Sequence, residues 1–175
     1  SQSGRQFVDR CLDEIGPLKI LDPNFRPLVI EDADAFTEFV VGAFPRTDVL
    51  KVSEEDVHHM FGMDHEAFGS YAVSSGVQFV VVTRGADGAT LFSRGCEQIS
   101  VPGLKVGVVD TTGAGDAFTG SIIADILLAG MPNLDWHGAL TRANRAAAMS
   151  CQGFGGAESN PTAAEVQVQG VLAPE

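Results

Sequence analysis

The chain has 175 residues, 45% of them hydrophobic, and a formal net charge of −12, which suits one globular domain with a sizeable core. The acidity argues against nucleic acid and anionic membrane as partners, since both need a basic footprint, but it leaves room for a phosphorylated nucleotide held by a few amides, a metal ion or local cations. No apolar run approaches the roughly 20 residues that span a bilayer, no signal peptide opens the chain, and Cys11, Cys96 and Cys151 follow no metal-binding pattern, so reduced thiols in the cytoplasm are expected.

Helices and short strands alternate along the chain, without repeats or low-complexity linkers. Phe7, Val8, Cys11, Leu12 and Ile15 recur at helical spacing over 6–15, and Gly16-Pro17 closes that helix. A short strand over 18–21 ends at Asp22-Pro23-Asn24. A second helix follows over 32–41 and a second strand over 49–52, then helices over 54–61 and 65–74. The Phe79-Val80-Val81-Val82 run within 78–83 predicts a strand buried on both faces. Residues 89–93 and 98–101 read as a hairpin-like excursion around Gly95. The β-branched stretch 106–109 predicts a strand entering a glycine turn, with a long helix after it to about Leu128. Gly130-Met131-Pro132-Asn133 breaks that helix and 134–151 forms the next. A glycine-rich loop follows, and Pro161-Thr162 opens a short last helix. The alternation predicts a three-layer α/β fold: a mostly parallel sheet, helices on both faces, and ligands beyond the carboxyl ends of the strands.

Four polar segments fall at those ends: Asp22-Pro23-Asn24-Phe25-Arg26, Lys51-Val52-Ser53-Glu54-Glu55-Asp56, Thr83-Arg84-Gly85-Ala86-Asp87-Gly88, and Asp110-Thr111-Thr112-Gly113-Ala114-Gly115-Asp116. The last says most. Its glycines let the backbone approach a ligand closely, and the helix start aims unpaired N–H groups and the positive dipole end at it. Asp116, on the first helical turn, is an acceptor beside such an anion, where a general base for phosphoryl transfer would stand. The plain alternative is an acid that only complements the dipole. Two familiar phosphate loops do not fit. Gly115 to Ser121 has a Gly-x4-Gly-Ser frame without the P-loop lysine, and the segment from Gly113 to Phe118 lacks the third glycine of a dinucleotide fingerprint.

The string Asp110-Thr111-Thr112-Gly113-Ala114-Gly115-Asp116-Ala117-Phe118 resembles the C-terminal signature of the ribokinase-like carbohydrate kinases, the PfkB family. The other three segments stand in the same order as in that family, so the resemblance covers nearly the whole chain. Residues 22–27 and 82–89 look more like fructokinases and 2-keto-3-deoxygluconate kinases than like ribokinase or adenosine kinase. The resemblance implies phosphorylation of a sugar or sugar-acid hydroxyl, with ATP, Mg2+ and a small sugar as ligands. Asp116 would be the base, and the amides of Gly113, Ala114, Gly115 and Asp116 the anion hole. Ser53 and Asp56 match an Asn-x-x-Glu element that positions magnesium through water, and depart from it at both ends. Thr83, Gly85 and Gly88 match the segment that lines the nucleotide, and Asn144 a position beside the adenine. Asp110 and Thr112 match ligands of a monovalent cation, usually K+, completed by the loop 153–159. Arg26 would reach phosphate or an acidic sugar bidentately.

Each of these residues also has a plain structural reading. Ser53 and Asp56 spell a capping box, Ala86-Asp87-Gly88 is good turn chemistry, the 153–159 loop could be a flexible connector, and Arg26 could pair with Asp22. His58, His59, His65 and His137 show no metal spacing, and Trp136 reads as packing. Family relatives carry a glycine-rich sugar-binding segment and a β-sheet lid, often the homodimer contact, ahead of the matched region. Residues 1–175 therefore read as the C-terminal nucleotide-binding part of a ribokinase-like domain, with the N-terminal part and lid missing. The opening Ser1-Gln2-Ser3-Gly4, without a methionine, suits a trimmed or excised product. The isolated chain is expected to be inactive and, with an open sheet edge and an apolar face, to associate. The competing reading is an inactive nucleotide-binding module or a regulatory remnant lacking the sugar site.

Overall fold

The structure, a computed structural model, describes residues 2–14, 16 and 18–168. Ile15 and Pro17, where the sequence places the end of the first helix and its stop signal, lie outside the described residues. Strands β1 (Ile20–Leu21), β2 (Val49–Ser53), β3 (Phe79–Thr83), β4 (Ala89–Ser93) and β5 (Ile99–Val101) form one mixed, mostly parallel sheet in the order β1-β2-β3-β4-β5, with helices around it. The helices are α1 (Gln2–Glu14), α2 (Ala33–Ala43), α3 (Glu54–Phe61), α4 (His65–Ser74), α5 (Ala114–Ala129), α6 (Trp136–Ser150) and α7 (Ala163–Val168). The described residues fall into two compact units, those up to residue 84 with 90–99, and 85–89 with 100–168.

In the first unit β1, β2 and β3 are parallel, with Leu50 beside Val80 and Val52 beside Val82. Side chains on a strand alternate between faces. Leu50, Val52, Val80 and Val82 thus share one face, where they join Val40, Phe44, Val57, Phe68 and Ala72 in a fully buried cluster. Val49 and Val81 are buried on the opposite face, as the unbroken apolar run of β3 predicts. Lys51 shares that second face; its Nζ lies 2.9 Å from Asp22 Oδ2, and both side chains are largely buried. Side-chain caps fix where the helices begin. Asp32 accepts the Ala35 N–H at 2.9 Å, Asp64 accepts that of Ala67 at 2.7 Å, and Gly62 ends α3 in the left-handed region.

The second unit is built on α5 packed against α6, which bury Phe118, Ile122 and Ile126 on one and Ala139, Leu140, Ala143 and Ala146 on the other. Asp135 caps α6 through the Gly138 N–H, which moves its start from the expected Leu134 to Trp136. Trp136 is itself buried, as a packing residue should be. The composition of α5 is apolar all round, and Leu127 and Leu128 on it remain 78% and 85% exposed. Residues 106–109 correct the sequence reading: they form no strand, and Val108 and Val109 stand largely exposed. β-Branched composition favours extended backbone, but a strand also needs a neighbour to bond with. Here the Val109 N–H donates to the Cys151 carbonyl at 2.8 Å, so the segment is tied to the end of α6 instead.

Candidate functional site

The turn before α5 brings the chemistry of the second unit together. Gly113 is the N-cap, at φ +83°, a left-handed backbone that only glycine adopts readily. The Ala114 N–H donates to the Thr111 carbonyl at 3.2 Å and is thereby used up. The amides of Gly113, Gly115 and Asp116 have no acceptor among the described residues, which leaves a helix start with donors to spare. Asp116 sits on the first turn, exposed, without an ion-pair partner among the described residues. It does not point into the core. Its side chain lines one wall of a 320 Å³ cavity shared with Gly120, Ser121, Asp125, Arg142 and Asn160. Arg142 Nε reaches both oxygens of Asp125, at 2.9 and 3.2 Å, so that arginine is already neutralised.

The loop 153–159 closes on this turn. Asp110 accepts the Thr112 N–H at 2.9 Å on one oxygen and the Gly155 N–H at 3.3 Å on the other. These bonds, that of Thr112 first, hold the Asp110 carboxyl below its ordinary value of 3.8. Ser159 Oγ donates to the Gly155 carbonyl, which folds the loop back on itself. A folded-state value lowered in this way means the clip is complete above the unfolded value and is lost as pH falls through the lower folded-state value. The Gly155 amide should therefore keep a constant hydrogen-exchange protection factor down to about pH 4 and lose it beneath. In Asp110→Asn the protection should be low and independent of pH.

In the same unit, Gly85 is exposed and its carbonyl accepts the Gly88 N–H at 3.1 Å. Gly88 is buried at φ +95°, and a Cβ there would lie 2.0 Å from the Val101 carbonyl oxygen. Turn geometry and close backbone approach thus account for Gly88. Asn144 is buried in mid-helix, where its Nδ2 donates to the Pro102 carbonyl at 3.1 Å; that bond explains an otherwise unhelpful residue type.

In the first unit the capping box is fully formed. Ser53 Oγ accepts the Asp56 N–H at 3.0 Å, and Asp56 Oδ2 accepts the Ser53 N–H at 3.2 Å. Asp56 is buried and keeps its other oxygen for a further donor. Thr83 lies beside Ser53 in the β2–β3 register and donates to the Val52 carbonyl at 3.4 Å. Arg26 is exposed, and Asp22, its expected partner, is engaged by Lys51. The 22–26 turn is shaped by Asn24 at φ +47°, whose N–H donates to Asp22 at 3.1 Å. His65 meets Glu54 at 3.3 Å and His59 bonds the Glu55 carbonyl. Among the described residues no three His, Cys, Asp or Glu side chains are grouped to hold a metal, and no helix is long and apolar enough to cross a membrane.

Among the ion pairs the sequence pattern missed are Asp22–Lys51 and Asp125–Arg142. Their partners are 29 and 17 positions apart, beyond any local spacing rule. A lysine inside an apolar strand is the one sequence signal that could have prompted a search for the first.

Comparison with known proteins shows the family and the fold. The family model described as pfkB family carbohydrate kinase matches residues 6–163. A fructokinase of Rhizobium leguminosarum bv. trifolii is 37% identical over 108 residues, 61% of this chain and 32% of its own length. Fructokinase-2 of Zea mays is 35% identical over 129 residues, 71% of this chain and 38% of its own length. The crystal structure of Vibrio cholerae O395 fructokinase in its fructose-, ADP- and potassium-bound form is similar at a TM-score of 0.79 and 29% identity, with 94% of this chain and 54% of that one covered. Aminoimidazole riboside kinase from Salmonella enterica, complexed with its riboside and an ATP analogue, is similar at 0.80 and 26%, with 94% and 55% covered. The chain spans about half the length of these solved structures and about a third of the curated relatives. A ribokinase-like fold, a matched family model over most of the sequence and fructokinases among its relatives place the chain in the pfkB family of carbohydrate kinases.

Proposed function

We propose that this chain carries the nucleotide site, the anion hole and the catalytic base of an ATP-dependent sugar kinase. The observation that supports this best is the α5 start. A left-handed glycine leaves the amides of Gly113, Gly115 and Asp116 without acceptors among the described residues, and a solvent-facing carboxylate with no cation partner among those residues stands on the same turn. Donors fixed in place before the reaction stabilise charge on a transferring phosphoryl group without reorganisation. Asp116 accepts the proton of the sugar hydroxyl as its oxygen attacks the γ-phosphorus, and the bond to the ADP oxygen breaks. Of the four amides expected in the anion hole, Ala114's is given to Thr111, so the other three do this work.

Thr83, Gly85 and Asn144 are assigned to the nucleotide, Gly88 to the turn that shapes its loop, and Arg26 to the phosphate or acidic group of the substrate. Ser53 and Asp56 are assigned to magnesium through water. The spare oxygen of Asp56 suits a cation that keeps most of its waters and takes one or two carboxylates. Asp110, held ionised, with Thr112 and the carbonyls of 153–159, suits a monovalent cation. Bound metal would neutralise phosphate charge.

Calorimetric titration of the 175-residue chain with ADP tests the reading, alongside a coupled assay with fructose and ribose. ADP binding without sugar turnover is expected, because sugar recognition is assigned to parts of the kinase fold outside these residues. Absence of nucleotide binding would remove the nucleotide site. Turnover by the chain alone would remove the division of labour.

A further inference from the structure

We propose that Arg84 binds a phosphate oxygen of the nucleotide, an assignment that rests on the nucleotide reading above. Arg84 follows directly on Thr83, the last residue of β3, at the carboxyl edge where parallel sheets place their ligands. Its Nε is buried and has no hydrogen-bond partner. Among the described residues its guanidinium makes no ion pair either.

Three acids at this edge of the first unit, Glu54, Asp56 and Asp22, have partners other than Arg84. The register puts Ser53 beside Thr83, so Glu54 is the residue of α3 that follows at the level of Arg84, yet the Glu54 carboxylate meets His65 at 3.3 Å. Asp56 turns back onto the Ser53 N–H, and Asp22 holds Lys51. Two other arginines hold carboxylates: Arg46 bridges Asp9 and Asp13, and Arg142 holds Asp125. Arg145 also has a buried, unpartnered Nε, but its Nη1 donates to the Val166 carbonyl at 2.8 Å. Arg84 alone among these four is left without any partner of its own.

Burying a donor that bonds to nothing is unfavourable, and native structures do it rarely unless something outside the chain completes the bond. The planar guanidinium fork matches two oxygens of one phosphate. Arg84 also supplies positive charge beside the three acids of the first turn of α3, Glu54, Glu55 and Asp56, which would otherwise repel an anion.

The test titrates the 175-residue chain, and its Arg84→Gln and Arg84→Lys variants, with ADP and with adenosine in magnesium buffer. The wild-type chain should prefer ADP. Arg84→Gln should weaken ADP about tenfold or more and leave adenosine unchanged, with Arg84→Lys in between. A merely structural arginine would lower both affinities together, and that result would overturn the assignment. Equal ADP affinity in wild type and Arg84→Gln would also overturn it, with the nucleotide reading intact. A wild-type chain that binds neither ligand would overturn both. Should Arg84→Gln fail to fold, Arg84→Lys decides: an ADP-only loss of about threefold supports the assignment, and unchanged ADP affinity removes it.

Discussion

Replacing Asp116 by Asn is expected to lower sugar phosphorylation by about 10²- to 10⁴-fold, measured in a sugar-phosphorylating polypeptide that contains these residues. ADP affinity should change by less than about tenfold. Asparagine keeps the shape of the side chain and can still bond to a hydroxyl, but it cannot take up a proton. Asp116 is exposed and pairs with no cation among the described residues, so the substitution removes no buried partner. The competing view, an acid that only complements the helix dipole, makes a different forecast. It predicts a loss of at most about 1 kcal/mol in stability and no effect on rate beyond that. A rate collapse with an unchanged melting temperature supports the base; a small fall in stability at full activity supports the dipole.

The contrast between Asp116 and Asp125 shows where sequence reading reached and where it stopped. Asp116 stands in a short string whose chemistry is local: a left-handed turn, a helix start and an acid within four residues. The capping box of Ser53 and Asp56 is local in the same way, and both its bonds form as the spacing predicts. The continuous apolar run of β3 reported burial on both sides because one segment carries the whole signal. Asp125 and Lys51 behave otherwise, since each is defined by a partner far along the chain. The 106–109 segment fails for a related reason. Its side chains fit a strand, but strand formation depends on a neighbour that the local sequence cannot specify. Asn144 is intermediate: its oddity in mid-helix was visible, whereas its partner, the Pro102 carbonyl, was not.

Gly113→Ala should be the most damaging single substitution in the turn before α5, because it strikes the backbone and its packing together. At φ +83° an alanine pays about 1–2 kcal/mol for the left-handed conformation alone. Its Cβ would also stand 2.6 Å from the Gly156 carbonyl oxygen and 2.7 Å from Gly156 Cα, main-chain atoms that cannot swing aside as a side chain would. The 153–159 loop must then move off the turn, and the bond from the Gly155 N–H to Asp110 goes with it. A melting temperature lowered by at least about 4 °C is expected, at about 2–4 °C per kcal/mol for a chain of this size. ADP affinity should fall as well, since the amides of Gly113, Gly115 and Asp116 lose their common aim. Gly120→Ala is the control. Gly120 lies within α5 with nothing near its missing Cβ, so alanine there should stabilise the helix by about 0.5–1 kcal/mol. If both variants melt like the wild type, the loop does not rest on the turn, and the amides are not held for a phosphate by this contact.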